Sequence, residues 1–448
     1  MNLSRRSWLV AAAGSLFAAD PVHRDMIVRS KRPEDFEMPF SGFQHYLTPA
    51  DLLFVRHHHY AADVDMSTWK LSVGGLVEKP LTLTYEQLRR MPRLEHIAVM
   101  ECAGNGRGNF EPGVPGLQWR SGAVGNLQWA GVRLADVLHM AGLKDGSKHV
   151  LFDGADEPMG TMPKFQRTLP VAKAMHPDTM LAYEMNGAPL PRLHGFPLRV
   201  VAPGWASDGW PKWLRQITVL DKEFEGFFEA TAYRHPGAAV APGSAVDPKL
   251  MRPVEKLRVK SVIGAPLDGA TVAPGAVTIT GAAWTGEAQV VSVAVSIDAG
   301  RTWKVADLGH DTSKYGWRLW AYHAELTPGY YNILARAFDS SGDAQPLTQE
   351  WNPSGYLWNV TPQIGVRVTE GATTAPVVVQ AEAVQPPAPV KASCLPCHGV
   401  EVITQQRLNR TQWEREVDKM VRWGAQVPAD DRATILEFLS RFGPRPIR

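Results

Sequence analysis

The sequence predicts a multidomain chain in which an α+β domain, an Ig-like β-sandwich and a small all-α domain follow one another. The length of 448 residues is more than one hydrophobic core normally organises. The hydrophobic pattern also changes twice along the chain, from mixed helix and strand patterns to a period of two residues, and then to two short stripes at helical spacing. The formal net charge is only +2 and no basic tract carries interleaved aromatic residues, so nucleic acid is not an expected partner.

Residues 1–24 are predicted to form a twin-arginine export signal. Arg5 and Arg6 precede the small, apolar stretch Ala11–Ala19. That stretch is well short of the ~20 residues that a bilayer-spanning helix needs, so we expect no stable membrane span. An ordinary amphipathic first helix is the alternative interpretation. The signal predicts a periplasmic mature chain.

Residues 25–248 are predicted to form the α+β domain. Strand-like runs, Trp69–Val73 and Leu198–Val201, alternate with helical ones, Tyr85–Met91 and Leu134–Ala141. Many Gly and Pro turns separate these runs.

Residues 249–366 are predicted to form the β-sandwich. The pattern has a period of two, with Val291, Val293, Val295 and Ile297 on one face. Turn signals such as Asp298-Ala299-Gly300 follow at short intervals, as they do in sandwiches.

Residues 367–392 are predicted to be a flexible or extended tether, because this segment contains Pro386, Pro387 and Pro389 and has few charges. Residues 393–448 are predicted to form the all-α domain. A capping box of Thr411 and Glu414 is expected to start its first helix. Two apolar stripes follow, formed by Trp413, Val417, Met420 and Val421, and by Ile435, Leu436, Leu439 and Phe442.

The segment Cys394-Leu395-Pro396-Cys397-His398 has the pattern by which a chain attaches haem c. Two cysteines form the thioether bonds, and the next residue, His398, supplies the first iron ligand. A redox dithiol or half of a zinc site is the alternative. A covalent haem would also stabilise a domain whose core is small.

Met420 is the candidate sixth ligand of the haem iron. It is the only methionine after the haem motif, and no second histidine follows His398. A core methionine is the alternative, since Met420 lies on an apolar stripe. Ligation by His and Met would raise the haem potential, which suits outward electron transfer.

Cys102 is the remaining one of the three cysteines, and it has no partner if haem uses Cys394 and Cys397. It precedes a glycine-rich turn, Gly104-Asn105-Gly106-Arg107-Gly108, whose backbone can approach an anionic cofactor closely. An unpaired thiol in an oxidising compartment indicates a metal ligand, and a buried, inert cysteine is the alternative.

The stretch around Cys102 resembles the molybdenum-binding segment of the sulfite oxidase family. Further blocks resemble that family in the same order along the chain, over about residues 35–362: Phe54–His58, Leu117–Gly122, Phe152–Asp156, Tyr183–Gly187, Leu190–Arg199, Pro211–Leu214 and Trp351–Tyr356. The β-rich region resembles the family's dimerisation domain, which implies a homodimer.

The resemblance implies a role for each matched residue. Cys102 would give its thiolate to molybdenum, and Arg56 and Arg120 would line a pocket for sulfite or a related sulfur oxyanion. The remaining matched residues would hold a molybdopterin and its phosphate: Phe54, Val55, Arg56, His57, His58, Asp156, His194, Arg199 and Lys212. The run Arg56-His57-His58 departs from the Arg-Asn-His expected in the family.

A second departure concerns a tyrosine that the family places near molybdenum. The corresponding position holds Phe224, which cannot donate a hydrogen bond. Tyr233, nine residues later, is the candidate that delivers a hydroxyl instead. Strict sulfite specificity is therefore the open point.

The expected activity is that of a molybdenum-dependent sulfite dehydrogenase. Electrons would pass from molybdenum to haem c and then to an external cytochrome c. Two alternatives remain open: the same scaffold acting on sulfane sulfur or another sulfur compound, and a non-catalytic electron carrier.

Overall fold

The computed structural model describes residues 22–372 and 384–444. The twin-arginine motif lies outside the described residues, and so does the middle of the predicted tether, residues 373–383. Within the two described ranges, no helix is long and apolar enough to cross a membrane.

The N-terminal part contains thirteen strands among the described residues. Their bounds are β1 (Ile27–Lys31), β2 (Glu34–Glu37), β3 (Leu71–Gly75), β4 (Leu81–Leu83), β5 (Arg93–Glu101), β6 (Val124–Arg133), β7 (His149–Gly154), β8 (Gln166–Pro170), β9 (Met180–Met185), β10 (Ala188–Pro189), β11 (Arg199–Val201), β12 (Leu214–Leu220) and β13 (Arg234–Pro236). One sheet has the order β10-β9-β6-β5, with β11 also paired to β9, and a second has the order β4-β3-β12-β7-β8.

One hydrophobic core draws side chains from both sheets. Strand β6 is buried along nearly its whole length, which is typical of a central strand covered on both faces. Four helices accompany the sheets: α1 (Tyr85–Arg90), α2 (Leu134–Ala141), α3 (Val171–Ala174) and α4 (Phe227–Ala230). The bounds of α2 confirm the pattern-based expectation, and α1 ends one residue early because Met91 has an extended backbone.

The strands that follow form two facing sheets joined by one core. Their bounds are β14 (Met251–Pro253), β15 (Lys260–Ala265), β16 (Thr271–Val272), β17 (Gly275–Trp284), β18 (Val290–Ser296), β19 (Lys304–Val305), β20 (Asp307–Leu308), β21 (Arg318–Leu326), β22 (Gly329–Asp339) and β23 (Gln363–Val368). Strand β14 pairs with β13, and the two sheets have the orders β15-β17-β21-β20 and β16-β23-β22-β18-β19.

The expected face of β18 is correct for Val293 and Val295, which are buried, and wrong for Val291, which is 54% exposed. The register of β18 against β22 shifts between Val290 and Ser292. This irregularity puts Val290 into the core in place of Val291, because one extra residue reverses the alternation of faces.

The C-terminal helical segment, residues 388–442, contains helices α5 (Ala388–Cys394), α6 (Glu401–Thr404), α7 (Arg410–Arg422) and α8 (Arg432–Ser440). Short 3-10 turns elsewhere in the described chain span Phe40–Gln44, Ala50–Leu52, Arg107–Asn109, Arg192–His194, Ser207–Gly209, Pro248–Leu250 and Ala429–Asp431. Helix α5 begins inside the segment predicted as a tether. Pro387 occupies the N-cap position, and Pro389 lies in the first turn, where proline is tolerated.

Helix α7 corrects two expectations. Its capping box is formed by Asn409 and Gln412, two residues before the predicted pair, because the helix begins at Arg410. Trp413 and Val417 are buried as expected, whereas Val421 is 43% exposed.

A buried ion pair joins the N-terminal part to the β-sandwich. Lys260 Nζ, at the start of β15, donates to Glu101 Oε1 over 2.9 Å, and Trp284 Nε1 donates to Glu101 Oε2 over 2.7 Å. Asn105 Nδ2 donates to Glu101 Oε1 over 2.8 Å. All four side chains are buried, and Glu101 is the residue before Cys102.

Lys260→Met is expected to lower the free energy of unfolding by about 3–5 kcal/mol, because it leaves the carboxylate of Glu101 buried without its cation. The control Arg258→Ala breaks the exposed Arg258–Glu350 pair and is expected to cost less than about 1 kcal/mol. Urea unfolding followed by tryptophan fluorescence compares the two. Equal midpoints for both variants would contradict a special role for the buried pair.

Candidate active site

Cys102 lies at the end of β5, where the chain leaves the sheet and turns. Its amide N donates to Ala123 O over 2.9 Å, and Asn105 N donates to Cys102 O over 2.9 Å. Gly104 admits the guanidinium of Arg107, since a Cβ there would lie 2.6 Å from Arg107 Nη2. Gly106 has φ +92, the left-handed region that glycine adopts readily. Burial raises the pKa of the Cys102 thiol.

A cavity opens beside Cys102. It lies where several strands end, since β5, β7, β11 and β12 all begin or finish next to its walls. Most of the residues singled out from the sequence line it: Phe54, Arg56, His57, His58, Cys102, Asp156, His194, Arg199, Lys212 and Tyr233.

Two predicted residues are not among those lining this cavity. Val55 is buried and forms a backbone bridge with Phe36. Arg120 is exposed, and only its backbone amide is fixed, donating to Glu37 Oε1 over 2.9 Å. Its neighbour Trp119 is fully buried, and adjacent residues of an extended segment face opposite ways. The structure therefore corrects the expectation that Arg120 lines the pocket.

A group of buried cations forms one side of the cavity. Lys212 Nζ donates to the carbonyls of Arg56 and Leu193, and Arg199 donates to the carbonyls of His194 and Trp210. Within the described ranges, Arg199 Nε and Trp210 Nε1 are buried and have no hydrogen-bond partner.

Burial lowers the pKa values of the basic side chains in this wall. It lowers the pKa of Arg199 to about 9 and, with Arg199, lowers the pKa of Lys212 well below its usual value. Burial and the two cations likewise lower the pKa of His194. Because carbonyl oxygens do not neutralise a cation, this wall attracts an anionic group such as a phosphate.

Arg56, His58 and Tyr233, which also line the cavity, form a hydrogen-bonded row. Arg56 Nη2 lies 2.9 Å from His58 Nδ1, and His58 Nε2 lies 2.6 Å from the hydroxyl of Tyr233. A guanidinium only donates, so His58 Nδ1 accepts and the neutral ring carries its proton on Nε2. Burial lowers the pKa of His58 most, and the positive charge of Arg56 lowers it further, which is consistent with a neutral ring. The Tyr233 oxygen therefore accepts from His58, which leaves its own proton for another acceptor.

Phe224 and Tyr233 differ in whether they line the cavity. Phe224 is half-buried, and its ring lies over Gly226 rather than among the residues lining the cavity. Tyr233 is buried and lines the cavity, with φ +47, a backbone conformation that a bulky residue rarely adopts.

Sequence reasoning missed three residues that surround Tyr233, two in direct contact with its ring and one, Arg107, in contact through Tyr356. The ring of Tyr356 stacks on Tyr233 at 5.4 Å and 13°, and the guanidinium of Arg107 lies 5.0 Å from the Tyr356 ring centroid. Arg167 lies 5.0 Å from the centroid of the Tyr233 ring. Such cation–π and stacking contacts fix the ring planes. The signal was available, because Arg107 belongs to the glycine-rich turn and Tyr356 closes a family-like block.

A second, more open cavity lies between the C-terminal helical segment and the N-terminal part. Cys394, Cys397, His398 and Met420 all line it. Apolar side chains from α6, α7, α8 and the connection between α6 and α7 form much of its wall: Ile403, Leu408, Val417, Ile435 and Leu439. An apolar cavity with two cysteines, a histidine and a methionine in its wall has the donor set and surroundings that haem c requires.

The two cavities share part of one wall. Arg56, His57 and His58 line both. Asp35 lies on the side of the second cavity, where its Oδ1 is 3.3 Å from Arg56 Nη1. Arg56, His57 and His58 are therefore exposed to both cavities.

Comparisons with known proteins agree with this architecture. Residues 57–228 match the family described as oxidoreductase molybdopterin binding domain, and residues 251–369 match the Mo-co oxidoreductase dimerisation domain. The chain is 38% identical to human mitochondrial sulfite oxidase over 372 residues, which covers 79% of this chain and 68% of the human protein. It is 33% identical to Arabidopsis thaliana sulfite oxidase over 365 residues, covering 75% of this chain and 92% of the plant protein.

Among solved structures, the sulfane dehydrogenase SoxCD from Paracoccus pantotrophus superposes with a TM-score of 0.67 at 28% identity. The match covers 82% of this chain and 90% of the SoxCD chain. The fold and the cavity beside Cys102 thus define a molybdopterin oxidoreductase. The extent of the match to sulfite oxidases places the chain in the sulfite oxidase family.

A pH-dependent change in stability is expected from Asp156, because burial raises its pKa to about 6 from 3.8. A folded-state pKa above the unfolded value means that the ionised carboxylate of Asp156 destabilises the folded protein. This free-energy cost is absent at low pH and complete above about pH 6. In cofactor-free protein, Asp156→Asn is expected to stabilise the fold relative to wild type by up to about 2 kcal/mol more at pH 8 than at about pH 4.5, because part of the cost is already present above the unfolded-state pKa. Thermal unfolding at both pH values measures this difference.

The exposed Asp145→Asn serves as the matched control and is expected to show the same small effect at both pH values. An effect of Asp156→Asn that does not grow with pH would contradict the buried, ionised state of Asp156.

Proposed function

We propose that this protein is a sulfite dehydrogenase that oxidises sulfite to sulfate at a molybdopterin centre and passes the electrons through covalent haem c to an external cytochrome c. The observation that carries the proposal is the shared wall: Arg56, His57 and His58 line both the cavity beside Cys102 and the cavity with the haem motif. The twin-arginine motif supports a periplasmic site of action.

The first cavity fits a molybdopterin. Cys102 provides the single thiol at its wall, and the unneutralised cations Arg199 and Lys212 with His194 suit the cofactor's phosphate. Phe54, His57 and Asp156 would contact the rest of the pterin. The bound cofactor supplies oxygen-atom transfer and accepts an electron pair.

Arg56 and Tyr233 would bind the sulfur oxyanion. The guanidinium keeps its charge at any relevant pH, and the Tyr233 hydroxyl has a proton to donate because His58 occupies its oxygen as an acceptor. Overall, one sulfite and one water yield one sulfate, two protons and two electrons. Arg107 is buried, and its charge opposes the rise that burial causes in the pKa of Cys102.

The second cavity fits haem c. Cys394 and Cys397 would form the thioethers, and His398 and Met420 would be the axial ligands. When bound, the haem carries one electron at a time. The match of residues 251–369 to a dimerisation domain supports a homodimer.

A sulfane dehydrogenase activity is the second candidate. The superposition on the sulfane dehydrogenase SoxCD favours it, whereas the position of the Tyr233 hydroxyl in the cavity favours a small oxyanion. A non-catalytic electron carrier is the third, and it requires a chain that purifies with haem and without molybdenum.

The purified protein is expected to contain molybdenum and haem, and sulfite is expected to reduce its haem bands under anaerobic conditions. Cys102→Ser is expected to retain the haem, reducible by dithionite and no longer by sulfite. Parallel assays with thiosulfate and a sulfane-sulfur donor separate the candidates. Reduction by the sulfane donor alone, or haem without molybdenum, would contradict the sulfite dehydrogenase.

Tyr233→Phe is expected to lower kcat/KM for sulfite about 10–100-fold, because one hydrogen-bond donor aimed at the developing charge is lost. The matched control Phe224→Tyr adds a hydroxyl outside the residues lining the cavity and is expected to change kcat/KM less than about twofold. Steady-state kinetics with cytochrome c compares them. A rate gain in Phe224→Tyr with no loss in Tyr233→Phe would assign the role to position 224.

A further inference from the structure

The end of helix α7 contacts two segments of the N-terminal part. The ring of Trp423 meets the ring of Phe227 edge-on, with centroids 5.6 Å apart. Thr161 Oγ1 donates to Arg422 O over 3.2 Å, and Thr161 N donates to Trp423 O over 3.4 Å. The C-terminal helical segment therefore touches both the loop around Thr161 and helix α4.

These same two segments carry the aromatic rings that surround His58. Phe165, four residues beyond Thr161, stacks on the His58 ring at 4.9 Å and 23°. Phe228, the neighbour of Phe227, lies 4.5 Å from the His58 ring. Phe227 and Phe228 contact each other at 5.2 Å. A continuous row of ring contacts thus runs from Trp423 to His58.

The position of Trp423 depends in turn on polar contacts that fix the C-terminal helical segment. Gln405 Nε2 donates to Arg29 O over 2.7 Å, and Gln405 Oε1 accepts from Gln118 N over 2.9 Å. Gln406 Nε2 donates to Gly116 O over 2.9 Å. Side-chain amides that satisfy backbone groups at an interface favour one docked orientation over others.

We propose, on the basis of the function proposed above, that Trp423 is a positioning residue of the sulfite pocket and that the C-terminal helical segment completes this pocket. Trp423 holds Phe227 and the loop at Thr161, and these hold Phe228 and Phe165 against His58. The His58 ring then stays in the plane that bonds both Arg56 and Tyr233.

This role differs from electron relay. If Trp423 only conducted electrons, its removal would slow haem reduction and leave sulfite binding unchanged. If it positions His58, its removal lets the ring turn, and the Tyr233 hydroxyl loses its fixed direction. Small displacements of a positioned group cost large factors in rate. We therefore expect the KM for sulfite to rise and the pocket segments to loosen together.

The experiment uses the full-length holoenzyme with Trp423→Ala, Trp423→Phe and the control Trp303→Ala, which removes a tryptophan on a turn of the β-sandwich. Trp423→Ala is expected to lower kcat/KM for sulfite about tenfold, with an increased KM. Deuterium exchange is expected to accelerate in peptides covering 157–165 and 226–233. Trp423→Phe retains a ring and is expected to stay within about threefold of wild type, and Trp303→Ala is expected to match wild type.

A Trp423→Ala protein with haem bound, unchanged exchange in both peptides and an unchanged KM would overturn the proposal, whatever its rate of haem reduction. If Trp423→Ala does not fold, the double variant Gln405→Ala and Gln406→Ala tests the same coupling by loosening the docked segment, and unchanged exchange there would also overturn it. Wild-type protein that lacks sulfite activity refutes the proposed function instead, while the exchange comparison still tests the contact between Trp423 and the pocket segments.

Discussion

The buried carboxylate of Glu101 is the interaction on which the rest of the structure depends. It ends strand β5, immediately before Cys102, and it binds Lys260 and Trp284 of the β-sandwich and Asn105 of the glycine-rich turn. Removing a charge partner from such a site leaves an ion in a medium that solvates it poorly. The turn that presents Cys102 is therefore held from both parts of the chain, and the β-sandwich contributes to the geometry of the cavity it does not itself line.

The two cavities differ in the charge and polarity of the residues that line them. Beside Cys102 the wall holds cations whose hydrogen bonds go to backbone carbonyls, which suits anionic groups. Around the haem motif the wall is mainly aliphatic, and Arg56 and His58 separate the two environments. A polar row next to an apolar cavity keeps an anion on one side, because transfer of charge into the apolar side is costly.

The errors of sequence reasoning have specific physical causes. Val291 fits a period of two, yet a register irregularity at its own position in β18 reverses its face. Thr411 fits a capping box, yet Asn409 offers an equally good one and the helix begins there. Arg120 lies in a family-like block, but its side chain follows the exposed face of an extended segment. In each case two local signals compete, and packing between distant segments selects one.

The sequence by itself determined three features: the Cys394–His398 pattern from which haem c attachment is predicted, the lone thiol of Cys102 and the ordered blocks that lead to the sulfite oxidase family. These depend on residue type and spacing, which a linear chain carries. Only the tertiary structure decided that Tyr233 lines the cavity and Phe224 does not, that Tyr356 and Arg167 pack against Tyr233, and that Trp423 contacts the row of rings that leads to His58. Those contacts join residues far apart in the chain, and their distances exist only after strands from both sheets and the docked helices have packed.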